Sequence, residues 1–260
     1  MKEKMNYYFI SGLPRSGSTL LSAILRQNPE YYSDIASPVQ FLVEGAIKTI
    51  TQSDSDLSVT DSQRLNICRG IFDGFYSDFN KETIFDNSRK WTRRTNLLKA
   101  LFPYTKILCT VRDIKSIVNS LESISSKNYT RWTDYSEMNI IPRCMSHFDE
   151  DGMLGGALIN LREGCHTNPE MIHLIDYKDL CENPERVLRE IYEFLEKPYY
   201  PHDFDNVYYR NEKYDLLCGV KDLHTVRKKV KYVPKPCLIP PPVLDYIDQN
   251  NFEFWKNNEK

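Results

Sequence analysis

The sequence predicts an α/β protein of three layers, a parallel sheet with helices on both faces, and three observations carry that prediction. Short apolar runs alternate along the chain with stretches whose apolar residues recur one helical turn apart. The connections are long enough for parallel crossovers, as where residues 83–86, 92–102 and 106–111 read strand, helix, strand. A glycine-bounded turn, Gly12-Leu13-Pro14-Arg15-Ser16-Gly17-Ser18-Thr19, separates the first apolar run from the first helical stretch. Strand, glycine turn and helix in that order form a phosphate loop, in which backbone N–H groups cradle an anion. At 260 residues, with no internal repeat and no separating linker, the chain reads as a single domain over residues 1–260.

The elements follow in order. Tyr7-Tyr8-Phe9-Ile10 is the first strand, and a helix over residues 20–25 is stopped by Asn28-Pro29. A second helix is expected near residues 40–50, then a Ser/Thr/Asp-rich loop over 51–61 that ends in an N-cap signal. Leu65, Cys68, Phe72, Phe75 and Phe79 share one helical face. After the strand–helix–strand run comes a helix over 114–124, then a polar stretch, 125–142, that reads as an irregular flap. Leu154, Ala157, Leu158 and Leu161 mark a helix, and residues 171–175 a strand. Asn183-Pro184 opens another helix, with asparagine as cap, proline in the first turn and Val187, Leu188, Ile191 and Leu195 inward. The proline-rich stretch 233–242 is a connector before a closing helix over 243–255. Ligands of such sheets bind at the carboxyl ends of strands. Gly12, Asp86, Arg112 and Tyr177 stand at four predicted strand ends and should line that edge together.

Composition narrows the function classes. A net charge of −2 gives no bulk attraction to nucleic acid or an acidic membrane. Basic residues nonetheless cluster at Arg89, Lys90, Arg93 and Arg94, and at Arg227, Lys228, Lys229, Lys231 and Lys235. Seven scattered cysteines without a C-x-x-C pair read as reduced thiols of a cytosolic protein. No apolar run approaches the ~20 residues of a membrane span, and residues 1–8 lack a signal-peptide core. The expected location is therefore cytoplasmic, where the sequon Asn128-Tyr129-Thr130 would be inert. Five histidines show no ligand spacing, so no metal site is expected.

The loop is a phosphate loop without its lysine. Gly12, Gly17 and Thr19 match G-x-x-x-x-G-K-[ST], but Ser18 stands at the lysine position and Arg15 is the loop's one basic residue. Pro14, Arg15, Ser16, Gly17, Ser18 and Thr19 remain able to hold a 5′-phosphate. They lack the group that grips a triphosphate tail. Arg112-Asp113 follows the strand at 106–111, a pair that by itself reads as a local ion pair.

This chain resembles the PAPS-dependent sulfotransferases, where PAPS is 3′-phosphoadenosine-5′-phosphosulfate. The resemblance rests on Pro14-Arg15-Ser16-Gly17-Ser18-Thr19 and on the spacing of Arg112 and Ser120, and runs from Tyr8 to about Trp255. It implies that the loop holds the 5′-phosphosulfate and that Arg112 and Ser120 hold the 3′-phosphate. It implies that Tyr177, in Tyr177-Lys178-Asp179-Leu180, contributes to the nucleotide site. It also sets Asn87 and Arg89 beside the transferring sulfuryl group, and one or more of Arg227, Lys228, Lys229 and Lys231 over the 3′-phosphate. PAP (3′,5′-ADP) would be the product, formed by in-line attack of a small acceptor's hydroxyl or amine, without a metal. The protein is expected to be a monomer or homodimer.

Preorganised donors should neutralise charge on the sulfuryl oxygens, with Arg15 the first choice, and a base should take the acceptor proton. The family's bases do not carry over. The glutamate of tyrosylprotein sulfotransferases falls on Ile35-Ala36-Ser37, and the K-x-H of cytosolic ones on Asn87-Ser88-Arg89. Asp86 is the candidate base, with Asp34, Glu44 and His147 open. Asp149-Glu150-Asp151 would suit a cationic acceptor such as a guanidinium alkaloid, and the resemblance to compact bacterial sulfotransferases implies a small specialised metabolite. Two other classes compete: a P-loop kinase, with Asp86 or Asp176 holding Mg²⁺, and a non-catalytic nucleotide-binding module.

Overall fold

In the computed structural model, which describes residues 5–52, 58–127 and 139–258, five strands form one all-parallel sheet. They are β1 (Asn6–Gly12), β2 (Tyr31–Ser33), β3 (Thr83–Asn87), β4 (Ile107–Val111) and β5 (Ile172–Asp176), in the order β2-β3-β1-β4-β5. The chain fills the β2 side of β1 first and then crosses to β4 and β5. The crevice beyond the carboxyl end of β1 is therefore the topological switch point, where open α/β sheets bind ligands.

The helices are α1 (Ser18–Leu25), α2 (Val39–Thr51), α3 (Asp61–Phe75), α4 (Thr95–Leu101), α5 (Ile114–Ser125), α6 (Ile140–Ser146) and α7 (Gly155–Thr167), then α8 (Tyr177–Glu182), α9 (Pro184–Phe194), α10 (Glu212–Cys218) and α11 (Pro241–Gln249). Helices cover both sheet faces, so β1, β3 and β4 are buried on both sides along nearly their whole length and carry apolar residues toward each face. Along β1, Tyr7 and Phe9 enter one core with Ile84, Ile107 and Cys109, closed by α2 to α7 and α11. Tyr8 and Ile10 enter the other with Phe85, Leu108 and Ile175, closed by α1, α8 and α9.

Most predicted elements are present, with differences that have local causes. Three-residue β2 and the short α8 and α10 were not expected, because each is too brief to show a period. Thr60 caps α3 reciprocally with Gln63, and Cys68 and Phe72 are its buried residues while Phe75 stays at the solvent edge. Asn183 heads α9 by position only, since its amide donates to Asp179 Oδ1 (2.9 Å) instead of capping. The closing helix starts at Pro241 and ends at Gln249. Of the polar stretch 125–142, residues 128–138, including the sequon, lie outside the described residues, and the end of it forms α6. Arg143 ties α6 to α5 by donating to buried Glu122 through Nε (2.8 Å) and Nη2 (2.6 Å). Among the described residues no helix is long and apolar enough to cross a membrane.

Candidate active site

The loop after β1 is shaped by two glycines. Gly12 has φ +111°, and a Cβ there would lie 2.2 Å from the Thr110 carbonyl oxygen of β4. Gly17 has φ +100°, and its Cβ would lie 2.5 Å from the Tyr177 ring. Gly17 is also the N-cap of α1 and offers no side chain, so the first N–H groups of the helix stay available to an anion. Pro14, Ser18 and Thr19 line the cavity in front of them. Ser16 differs from expectation. Its buried hydroxyl lies 2.6 Å from Leu13 O and 2.7 Å from Thr110 Oγ1, bracing the loop from beneath, so only its backbone is left for a ligand.

Arg15, in the left-handed region at φ 56°, turns toward Ser120 of α5. Its Nε donates to Ser120 Oγ (3.2 Å) and its Nη1 to the Leu223 carbonyl (3.4 Å). Arg112 donates from Nη1 to the Arg15 carbonyl (3.1 Å), and its guanidinium carbon lies 4.5 Å from the centre of the Tyr177 ring. The buried Arg112 Nε has no partner. Asp113 is not its counter-ion, because that carboxylate caps α5 at the Ser116 N–H (3.0 Å). Burial and the charges of Arg15, Arg112, Arg227 and Lys127 hold the Lys235 pKa below its usual value. Among the described residues no salt bridge reaches Arg15, Arg112, Arg227 or Lys235. Of the C-terminal basic run, Arg227, Lys231 and Lys235 line the cavity, Lys229 does so while paired with Asp205 (2.6 Å), and Lys228 lies outside it.

The cavity, of about 1230 Å³, continues from this cationic end past the tip of β3. Ser37, Asn87 and Arg89 line its middle, with Phe41, Met153, Ile159, Glu150 and Asp151 beyond. Asn87 is held by its Nδ2, which donates to Ser22 Oγ (3.3 Å) and the Asp34 carbonyl (3.2 Å).

The expected bases are elsewhere. Asp86 is fully buried on the opposite face of β3 from Asn87, and accepts from Ser37 Oγ (2.5 Å), Tyr76 OH (2.6 Å) and Trp91 Nε1 (2.6 Å). Burial pushes its pKa up, and no cavity surface belongs to it. Asp34 accepts from the Tyr209 hydroxyl, Glu44 pairs with Arg94 (3.3 Å), and His147 is buried beside α6. None of the three lines the cavity.

A pair that sequence reasoning missed does line it. His224 follows the residue that holds Arg15, and its Nδ1 lies 2.6 Å from Oδ1 of Asp215 on α10. The His224 backbone N–H donates to the same carboxylate (3.2 Å). The turn at Gly219, φ 71°, brings these residues together. Burial, followed by the opposed influence of Asp215, leaves the imidazole pKa below its usual value. Asn211 caps α10 at the Tyr214 N–H (3.0 Å) and donates to Tyr209 OH (3.3 Å). Asp34 is thus an anchor for this segment.

The fold is thus that of an α/β protein whose central strand opens into a phosphate loop without its lysine, beside cations that no salt bridge reaches among the described residues. A model of the sulfotransferase family matches residues 8–201, and the chain belongs to that family. It is 26% identical over 204 residues to protein-tyrosine sulfotransferase A of Caenorhabditis elegans, covering 74% of this chain and 50% of that protein. A Drosophila melanogaster protein-tyrosine sulfotransferase is also 26% identical, over 212 residues, with 75% and 39% covered. The chain thus spans half or less of the length of these relatives. Two solved structures share the fold. The sulfotransferase domain from the curacin biosynthetic pathway superposes with TM-score 0.57 at 16% identity, covering 95% of this chain and 98% of that one. Mouse sulfotransferase SULT7A1, complexed with PAP, gives 0.58 at 14% identity, covering 100% and 87%.

Proposed function

We propose that the protein transfers a sulfuryl group from PAPS to a hydroxyl or amine of a small acceptor and releases PAP. The observation that carries this reading is the set of cations that no salt bridge reaches among the described residues, Arg15, Arg112, Arg227 and Lys235, beside a phosphate loop that lacks its lysine. One anion fits the helix start at Gly17 to Thr19 and a second fits Arg112 and Ser120, as a nucleotide phosphorylated at both 5′ and 3′ positions requires. When bound, PAPS supplies a sulfuryl group already activated by its anhydride link to phosphate. Ser18, Thr19 and the α1 N–H groups hold and polarise the 5′ end, Arg112 and Ser120 orient the 3′ end, and Arg15 joins the two. Asn87 and Arg89, on the β3 side, face the acceptor half of the cavity.

A small acceptor, in keeping with a role in specialised metabolism, suits a cavity walled by Phe41, Met153 and Ile159. The kinase reading loses both candidate Mg²⁺ ligands, since Asp86 is engaged by three donors and Asp176 caps α8 at the Lys178 N–H (2.8 Å). Calorimetry tests the assignment. PAP should bind equally well with EDTA or Mg²⁺ and far more tightly than ATP, whereas tight, Mg²⁺-dependent ATP binding would refute it.

A further inference from the structure

We propose that His224, oriented by Asp215, is the general base that takes the acceptor proton. The proposal rests on the sulfotransferase reading and supplies the base that Asp86, Asp34, Glu44 and His147 do not. Four observations carry it. His224 lines the cavity, and among the described residues its Nε2 makes no hydrogen bond, so that nitrogen is open to a ligand. Its Nδ1 is fixed by Asp215, a carboxylate only 3% exposed, so the ring holds one tautomer and one orientation. The residue before it contacts Arg15 of the donor loop through a carbonyl (3.4 Å). Its charge state feels both Arg15, on the nucleotide side, and Arg89, on the acceptor side, which sets it near the border of the two halves.

The groups around the imidazole oppose one another. Asp215 favours the charged ring, Arg15 and Arg89 disfavour it, and Tyr214 packs edge-on with ring centres 5.2 Å apart. With burial, the balance keeps the ring neutral near pH 7, as a base must be. In the transfer, the acceptor O–H gives its proton to His224 Nε2 and its oxygen lone pair forms the new O–S bond. The S–O bond to the 5′-phosphate breaks, and its electron pair stays on that phosphate as PAP leaves. Asp215 stabilises the imidazolium through Nδ1–H and acts as a positioning residue.

The rival assignment makes His224 a phosphate ligand, and the test separates the two. PAP affinity is measured by calorimetry for the wild type, His224→Gln and Asp215→Asn. Turnover is measured with PAPS and a series of substituted phenols across pH. As a base, His224→Gln lowers kcat by about 10²–10⁴-fold and changes PAP affinity less than about threefold. The wild-type acidic limb of kcat/KM, lying below 6.5, disappears in His224→Gln and moves to lower pH in Asp215→Asn. Independently of any acceptor, diethyl pyrocarbonate should modify Nε2 of His224 at neutral pH, read by peptide mass mapping, and PAP should leave that reaction largely intact. Tenfold weaker PAP binding by His224→Gln, unchanged turnover, or an unreactive His224 would each overturn the proposal. A wild type that fails to bind PAP would instead overturn the sulfotransferase reading.

Discussion

Replacing Arg112 by alanine separates the two anion sites. Arg112 has three roles: a free guanidinium edge toward the proposed 3′-phosphate, a hydrogen bond to the Arg15 carbonyl (3.1 Å), and a stack on Tyr177 (4.5 Å). A charge-assisted bond to phosphate is worth roughly 1.5–3 kcal/mol, or about ten- to 150-fold in affinity. The loop bond, whose donor is also charged, and the stack contribute about 1.5–3 and 0.5–1 kcal/mol, and their loss loosens the loop whatever ligand is bound. Calorimetry with PAP and with adenosine-5′-phosphosulfate, which has no 3′-phosphate, resolves the parts. Both ligands should weaken through the loop, and PAP should weaken by a further ten- to 150-fold or so. The ratio of the two affinities is therefore the quantity to read. Ser120→Ala, which removes a neutral hydroxyl, should lower that ratio by only about two- to tenfold. Equal fractional losses for both nucleotides in Arg112→Ala would show that Arg112 only braces the loop, and the 3′ assignment would fall.

Two further expectations concern the scaffold. Arg143→Ala strands the buried Glu122 carboxylate, which should destabilise the protein by about 3–5 kcal/mol; replacing both residues by leucine or methionine should recover most of it in denaturant unfolding. His147, His173, His202 and His224 all have pKa values lowered by burial, His202 from 6.5 to about 4. The unfolded chain then binds more protons than the native one, so stability is intact above about pH 6.5 and lost as pH falls toward 4. His202→Gln should flatten the fall of Tm with pH over that range, and an unchanged slope would remove His202 from the account.

The residues of the proposed donor half could be brought together from the sequence because their signals are local. Gly12, Gly17, Arg112, Ser120 and Tyr177 sit at strand ends or on the helices that follow, so an apolar run and its next turn were enough to bring them to one edge. The acceptor half was not, and Asp86 shows why. Successive residues of a strand point to opposite faces, so which of Asp86 and Asn87 enters the cavity depends on register, and the sequence Phe85-Asp86-Asn87 reads the same either way. The register Phe9↔Asp86 and Ile10↔Asn87 sends the carboxylate under the sheet to Tyr76 and Trp91. Asp215 and His224 were hidden differently. They meet across a tight turn in a segment with little regular structure, where no periodicity points to a pairing. Arg15 was anticipated as a group acting on sulfur, yet its guanidinium rests on Ser120, a contact between residues 105 positions apart that spacing alone does not reveal.

The central place of β1 also bears on how such a protein can diverge. The proposed donor grip is gathered from β1, β4 and β5, while the wall proposed to face the acceptor comes from the start of α2, the tip of β3 and the region around α7. The two sets lie on opposite sides of one strand and share few side chains. Substitution at Phe41, Glu150, Met153 or Ile159 alters what is admitted without touching Arg112, Ser120 or Tyr177. On the proposed assignment, one half can drift under selection for new acceptors while the other stays fixed by a donor that does not change. A lineage of such enzymes can thus gain new substrates by small surface changes on one side of a constant machine.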